Sequence, residues 1–191
     1  MSWLVLGLIV FLGMHSVRIV AEPWRLGAID RFGLNGWKAV YSLVSLVGLV
    51  LIIWGFAQAR QQPVVVWQPA VAFKHLNSLF TLAAFILVVA AYVPRNHFKA
   101  WLHHPMIIGV ALWALGHLLA TAMLADVVLF GAFLAWAILD WLAAVRRDRA
   151  ARVAYGKGSM AGTGATLLVG IGAWAGFAFW AHRAWIGVAP F

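Results

Sequence analysis

The chain contains no cysteine, and only 5 of its 191 residues are acidic. The absence of cysteine excludes disulfides, thiolate metal ligands and cysteine nucleophiles. Charged residues make up 10% of the chain, whereas a soluble domain carries about a quarter. Hydrophobic residues account for 65%. A chain of this composition cannot bury all of its apolar surface in a water-soluble fold, so the sequence predicts a polytopic membrane protein.

The formal net charge of +9 is compatible with a nucleic-acid-binding protein, but the distribution of the basic residues argues against one. They are confined to the segments between apolar runs, which is the usual topology signal of a membrane protein. We therefore expect the lipid bilayer as the main partner of this chain, and no nucleic acid.

Apolar runs of about 20 residues mark transmembrane helices. They predict an all-α, polytopic transmembrane helix bundle that forms a single domain over residues 1–191. The predicted spans are about 2–20, 38–59, 75–93, 105–125, 127–145 and 159–182. A further apolar segment at 61–73 is broken by two prolines and is too short to span. We expect it to be interfacial or re-entrant.

Six spans place both termini on the same face of the membrane. Eleven of the fourteen basic residues fall on the other face, called here the basic face: Arg18, Arg25, Arg31, Lys38, Arg95, Lys99, Arg146, Arg147, Arg149, Arg152 and Lys157. Cytoplasmic loops carry the excess of lysine and arginine. The basic face is therefore predicted to be cytoplasmic, and both termini periplasmic, in the inner membrane of a bacterium.

Histidine is the most plausible metal ligand in this composition. His15 and His117 lie inside apolar spans, where an ionisable side chain is a functional candidate. His104 lies at the start of span four. At ~1.5 Å per residue, His15 and His117 differ in depth by ~10 Å, and His104 differs from His15 by a similar amount in the other direction. Depth alone therefore does not decide whether His15 shares a metal with His117 or with His104. The remaining histidines, at span ends and in loops, are expected to be solvated: His75, His97, His103 and His182.

Asp140 is the second ionisable group inside a span and lies at about the depth of His15. It could accept the Nδ1–H of His15 and orient that imidazole as a ligand. Alternatively it could pair with Arg18 or Arg146 near the surface. Asp126, at the turn between spans four and five, is expected to be solvated.

Two membrane histidines without a thiolate are typical of a b-type haem held between helices. A zinc site would need a third ligand, which only His104 or Asp140 could supply. Trp54, Trp113 and Trp136 lie deep enough in their spans to flank a cofactor.

Three segments carry a family resemblance: FLGMHSVRI, GWKAVYSLVSLVGLVLIIWG and HPMIIGVALWALGHLLATAMLADVVLFG. They resemble the NnrU family, which is related to the zeta-carotene isomerase of plants and cyanobacteria. The resemblance covers most of the chain. It implies haem b with iron bound by His15 and His117, beside Trp113, and so favours this pair over one that uses His104.

The resemblance also implies a function. NnrU proteins are linked to denitrification and redox physiology, which suggests a redox partner. The isomerase branch implies haem-dependent cis–trans isomerisation of a carotenoid or similar lipophilic polyene. That branch has a cysteine one turn before the span-four histidine, where this chain has Ala114. A sulfur-based exchange of ligands is therefore excluded.

A third hypothesis rests on His104, Pro105 and Gly109. They are similar to the Arg-His-Pro…Gly segment of membrane methyltransferases of the isoprenylcysteine type, which implies S-adenosylmethionine binding. The missing arginine, and the absence of carboxylates after span five, count against this hypothesis.

Overall fold

The computed structural model describes residues 1–188 and 190, and the fold in this part is all-α. The helices are α1 (Ser2–Val20), α2 (Glu22–Ala59), α3 (Val71–Tyr92), α4 (His97–Leu102), α5 (Pro105–Ala120), α6 (Leu124–Ala151), α7 (Met160–Gly176) and α8 (His182–Ile186). A π-helical turn, Phe177–Ala181, joins α7 to α8 without a break.

The prediction of a polytopic helical membrane bundle is confirmed. Within residues 1–188 and 190, five helical segments are long and apolar enough to cross a bilayer, and α5 is a shorter apolar helix of 16 residues. At ~1.5 Å per residue α5 is ~24 Å long, less than the ~30 Å hydrocarbon core. The helix that carries His117 is therefore the shortest of the six predicted spans.

The second helix begins much earlier than predicted. The span was predicted to begin at about residue 38, but the chain is helical from Glu22 and bends at Gly33. Gly33 has φ 72° and ψ 163°, a conformation that glycine adopts without a Cβ clash. Residues 22–32 therefore form a separate helical arm with exposed Trp24 and Phe32, ahead of the membrane-spanning part.

The helices form a row rather than a closed ring. α2 packs on α1, α1 on α6, α6 on α5, α5 on α3, and α3 on α7. The α1–α2 and α3–α5 contacts are the most extensive, and the α1–α6 contact is much smaller. The row thus consists of a pair, α1 and α2, and a group of four helices, α3, α5, α6 and α7. The two groups meet at the smaller interface between α1 and α6.

Small residues let the helices of each group approach closely. A Cβ on Gly7 of α1 would lie 2.6 Å from Ile52 N of α2, and one on Gly48 would lie 2.7 Å from Phe11 N. Between α3 and α5, a Cβ on Gly116 would lie 2.6 Å from Asn77 Oδ1. Since lipid is as apolar as leucine, such close packing is a main source of association between membrane helices.

The connection between α5 and α6 differs from the predicted tight turn at residues 125–126. α5 ends at Ala120, and the turn comprises residues 121–123. Thr121 donates its hydroxyl hydrogen bond to Asp126, so Asp126 is not simply solvated. His117 is consequently one turn from the end of its helix rather than in the middle of a 21-residue span.

The segment predicted to be interfacial or re-entrant is an extended strap over this turn. Val66 N donates to Ala122 O at 2.7 Å, and Leu124 N donates to Val64 O at 2.8 Å. The strap, residues 61–70, is almost wholly exposed and lies on the face opposite the basic face. It ties the α2–α3 connection to the end of the bundle nearest His117.

Because α1 and α2 approach closely, a larger side chain in α1 should destabilise the protein only where it faces α2. Gly7→Leu should lower the thermal unfolding temperature in detergent, because it places a side chain against the α2 backbone at a cost of about 1–3 kcal/mol or more. Gly13→Leu adds the same side chain to the same helix at a position with nothing within 4 Å of a Cβ. Circular dichroism melting of both variants checks this, and equal melting temperatures would contradict the described packing.

Candidate functional site

The two intramembrane histidines are held in the same way. His15 Nδ1 lies 2.7 Å from the carbonyl oxygen of Phe11, and His117 Nδ1 lies 2.8 Å from that of Trp113. Each acceptor is four residues earlier in the same helix. Because a carbonyl only accepts, Nδ1 carries the proton in both rings. This fixes the tautomer, leaving Nε2 with the lone pair that a metal ligand needs.

Both rings belong to one cluster of aromatic side chains, called here the aromatic seam, that lies mainly between α1, α5 and α6. Its members are Phe11, His15, Tyr41, Trp113, His117, Phe130, Phe133 and Trp136. Unlike the other interfaces, it is filled by large rings rather than by glycine, since Gly13 and Gly131 have no neighbour within 4 Å of a Cβ.

A series of ring contacts links the two histidines. His15 stacks on Phe11 at 4.2 Å between centroids, and Phe11 is 5.8 Å from Phe133. Phe133 is 5.4 Å from Trp113, which is 5.4 Å from His117. The two imidazoles make no ring contact with each other in the described part of the chain. The structure thus places them in one cluster, separated by intervening aromatic rings.

The offset along the membrane normal can be read from α6. His15 lies against Trp136, and His117 stacks on Phe130 at 4.4 Å. These α6 residues are six positions apart, or ~9 Å along the helix axis. This agrees with the ~10 Å expected from the sequence.

The two imidazoles lean towards each other along the membrane normal. The ring contacts show that α1 runs parallel to α6 and that α5 runs antiparallel to it. Each ring bends towards the N-terminal end of its own helix, where its carbonyl partner lies. His15 therefore extends away from the basic face and His117 extends towards it. The rings of Phe11, Phe133 and Trp113 fill the space between them.

The donor set of the seam suits a haem. Two neutral imidazoles with Nδ1 anchored and Nε2 unbound could bind the iron of a b-type haem, and aromatic side chains would be suitable neighbours for its macrocycle. In this packing the intervening rings occupy the space, so both Nε2 atoms can reach one iron only when these rings move aside.

Asp140 lies near the seam but does not hold His15. It is close enough for its charge to act on His15 and Tyr41, and its Oδ1 lies 3.7 Å from Arg147 Nη2. The acceptor for His15 Nδ1–H is Phe11 O instead of the predicted Asp140 carboxylate. The surface pairing also differs from the expected one, because the partner is Arg147 rather than Arg18 or Arg146.

His104, the alternative ligand, belongs to a separate cluster at the basic face. Its Nε2 lies 2.7 Å from Asp148 Oδ2, and Tyr155 donates its hydroxyl hydrogen bond to the same carboxylate. Tyr155 also stacks on His103 at 3.7 Å. The structure therefore holds His104 away from His15, at the start of α5.

Of the four histidines expected to be solvated, His75 and His103 are exposed, whereas His97 and His182 are partly buried. His97 pairs with Thr163, and His182 Nδ1 lies 2.7 Å from Val188 O. Across residues 1–188 and 190, no three histidine or acidic side chains converge on a position that could hold a metal ion. The described residues thus offer no site of the three-ligand type that zinc would need.

Sequence reasoning identified the two histidines, Trp113 and Trp136, but missed the phenylalanines of the seam. It also named Trp54, which packs on Trp3 at 5.0 Å between ring centroids and is not a member of the seam. A signal for them exists on α6, where Phe130, Phe133 and Trp136 recur at intervals of three residues and so lie along one face. Phe11 stands one turn before His15. The His104 cluster left no comparable signal, because Tyr155 reaches it from a loop.

The comparisons with known proteins give one match. The family described as NnrU protein matches residues 3–190. Neither the curated proteins nor the solved structures include a match to this chain.

The stack on His117 predicts that Phe130 is important for stability. Phe130 is 7% exposed and contacts both His117 and Trp113. Phe130→Ala should lower the free energy of unfolding by about 3 kcal/mol through lost packing. Phe32→Ala removes the same ring from an exposed position and should have little effect. Unfolding in a mixed-micelle denaturant series measures both, and the packing account fails if the two variants lose stability equally.

Proposed function

Since the chain belongs to the NnrU family, we propose that it is an integral membrane protein that binds haem b through His15 and His117. The observation that carries this proposal is the matched anchoring of the two imidazoles, each with Nδ1 on its own helix carbonyl. Each of these bonds leaves Nε2 unprotonated and able to bind iron.

The residues of the seam have distinct tasks in this proposal. The carbonyl oxygens of Phe11 and Trp113 hold the two tautomers that can bind iron. Trp113 and Phe130 pack around His117 and exclude water from it, and Asp140 places a negative charge near His15. When bound, haem b supplies an iron that changes oxidation state by one electron.

Binding of haem b is consistent with a bacterial inner membrane protein that functions in denitrification or related redox physiology. The lipid-facing helices place the seam within the bilayer, and the excess of basic residues orients the His15 end towards the cytoplasm. A redox partner would approach from one of the two membrane surfaces.

The ligand assignment predicts distinct absorption spectra for two variants. His117→Ala should abolish haem retention in the purified protein, and His15→Ala should leave at most a weakly bound five-coordinate species. His75→Ala, which changes an exposed histidine of α3, should match the wild type. Oxidised and reduced spectra with pyridine haemochrome quantification check these outcomes. Full haem retention in both seam variants would disprove the assignment.

The charge of Asp140 predicts a shift of the haem midpoint potential. Asp140→Asn removes a negative charge near His15, which disfavours ferric haem and raises the potential by on the order of tens of millivolts. Asp30→Asn, on the exposed arm, is the matched control. Spectroelectrochemical titration measures the midpoint potential of both variants. An unchanged potential in Asp140→Asn would show that Asp140 serves only its structural pairing with Arg147.

The isomerase and methyltransferase functions remain predictions. Isomerisation of a carotenoid or similar polyene would use the same haem and would be detected as conversion of a cis polyene in reconstituted vesicles. A methyltransferase would bind S-adenosylmethionine and no haem. The pairing of His104 with Asp148 favours neither function.

A further inference from the structure

The start of α7 is fastened to α4 at the basic face. Ser159 N donates to the carbonyl oxygen of Arg95 at 2.7 Å, and His97 N donates to Thr163 Oγ1 at 3.0 Å. Gly158, in the loop before α7, lies so near His97 that a Cβ on it would be 2.6 Å from His97 Cδ2. Only glycine allows this approach, and the contacts together hold the loop against α4.

A cavity of about 410 Å³, called here the loop cavity, opens between this loop and α4. The polar groups of its lining belong to His97 and Trp101 of α4 and to Tyr155, Gly156, Lys157 and Gly158 of the loop. Trp101 is 71% exposed, and exposed tryptophan near the end of a membrane span lies at the level of the lipid headgroups. The loop cavity therefore opens at the headgroup layer of the basic face.

His97 offers one ring nitrogen to a ligand in the loop cavity. Thr163 Oγ1 donates its own proton to Ser159 O at 2.9 Å, so it can only accept from His97 Nδ1, which lies 2.7 Å away. Nδ1 therefore carries a proton. His97 Nε2 forms no hydrogen bond within the described residues and is not among the covered atoms that lack a partner. It is accessible and can share a proton with a ligand oxygen.

The loop supplies further donors. The backbone N–H groups of Gly156, Lys157 and Gly158 donate to no acceptor in the described part of the chain. The Lys157 ammonium is exposed and has no ion-pair partner among the same residues. Successive unpaired amides beside a cation suit an anion.

The surrounding charges favour a phosphate group as that anion. Asp148 accepts the hydrogen bond of the Tyr155 hydroxyl and lies 2.7 Å from His104 Nε2, and it does not line the loop cavity. A neutral ligand would leave Lys157 without a counter-charge. A phosphate group brings a negative charge and several acceptor oxygens for the ammonium, the amides and His97. The headgroup layer of a cytoplasmic leaflet presents such groups on its anionic lipids.

We propose that the loop cavity binds a phosphate group with a net negative charge, held by Lys157, the loop amides and His97 Nε2. An anionic phospholipid and a soluble phosphate ester both present this group. The site goes beyond the proposed haem function and does not depend on it, because none of these residues belongs to the aromatic seam.

The test is native mass spectrometry of the purified full chain in detergent, titrated separately with dioleoyl phosphatidylglycerol, dioleoyl phosphatidylcholine and glycerol 3-phosphate. The wild type should bind one anionic probe per chain saturably. Saturation with phosphatidylglycerol identifies a lipid ligand, and saturation with glycerol 3-phosphate alone identifies a soluble one. Phosphatidylcholine, whose headgroup has no net charge, should bind about fivefold more weakly.

A matched pair of lysine variants tests the charge. Lys157→Gln should weaken binding of the anionic probe about fivefold, because it removes the cation of the loop cavity. Lys38→Gln removes an exposed lysine from another part of the basic face and should bind like the wild type.

A matched pair of glycine variants tests the geometry without changing the charge. Gly158→Ala places a methyl group 2.6 Å from His97 Cδ2 and must displace the loop, whereas Gly156→Ala has nothing within 4 Å of its Cβ. Gly158→Ala should weaken binding about fivefold, and Gly156→Ala by less than about twofold.

Three results would overturn the proposal. The first is the absence of a saturable adduct with either anionic probe. The second is an equal loss in Lys157→Gln and Lys38→Gln, since this would show a general attraction to the basic face. The third is equal affinity for phosphatidylcholine, since this would show binding through the acyl chains.

Discussion

Inside a bilayer every polar group must find its partner within the protein, and this constraint organises the whole chain. It explains why backbone amides are paired in helices and why the turn after α5 pairs with an extended strap. It also explains why both membrane histidines bond a carbonyl of their own helix. That local bond satisfies one nitrogen without help from a neighbouring helix, so the other nitrogen is free to meet something the chain itself does not supply.

Two kinds of packing divide the bundle. Glycines such as Gly7 and Gly48 bring α1 and α2 into backbone contact, and comparable contacts join α3 to α5 and α7. The α1–α2 interface has little room for change, because its closest atoms are main-chain atoms. The aromatic seam between α1, α5 and α6 is instead filled by side-chain rings, which can adopt other rotamers at modest cost. Both intramembrane histidines lie in helix contacts of this second kind.

The sequence was sufficient to predict the membrane class, the helical fold and the two histidines, because apolar length and an isolated polar residue in a span are local signals. It was insufficient for the end of α5, since residues 121–123 contain no charge, proline or glycine to mark the boundary, and their pairing with Val64 and Val66 joins segments that are far apart in the sequence. The partner of Asp140 could not be predicted either, because whether it pairs with His15 or with Arg147 depends on how the helices are rotated about their axes. Tyr155 reaches His104 through a loop whose path no periodicity describes.

The strap has a mechanical consequence for the row. At about 3.3 Å per residue its ten residues reach roughly 33 Å when extended, and on the way from α2 to α3 they bond to the α5–α6 turn. The strap thus links the two groups of helices at the membrane surface opposite the basic face. At the basic face, Arg147 Nη1 of α6 donates to the carbonyl oxygen of Arg18, next to the end of α1, at 3.4 Å. The two groups are therefore fastened at both membrane surfaces, and the aromatic seam lies between the two fastenings.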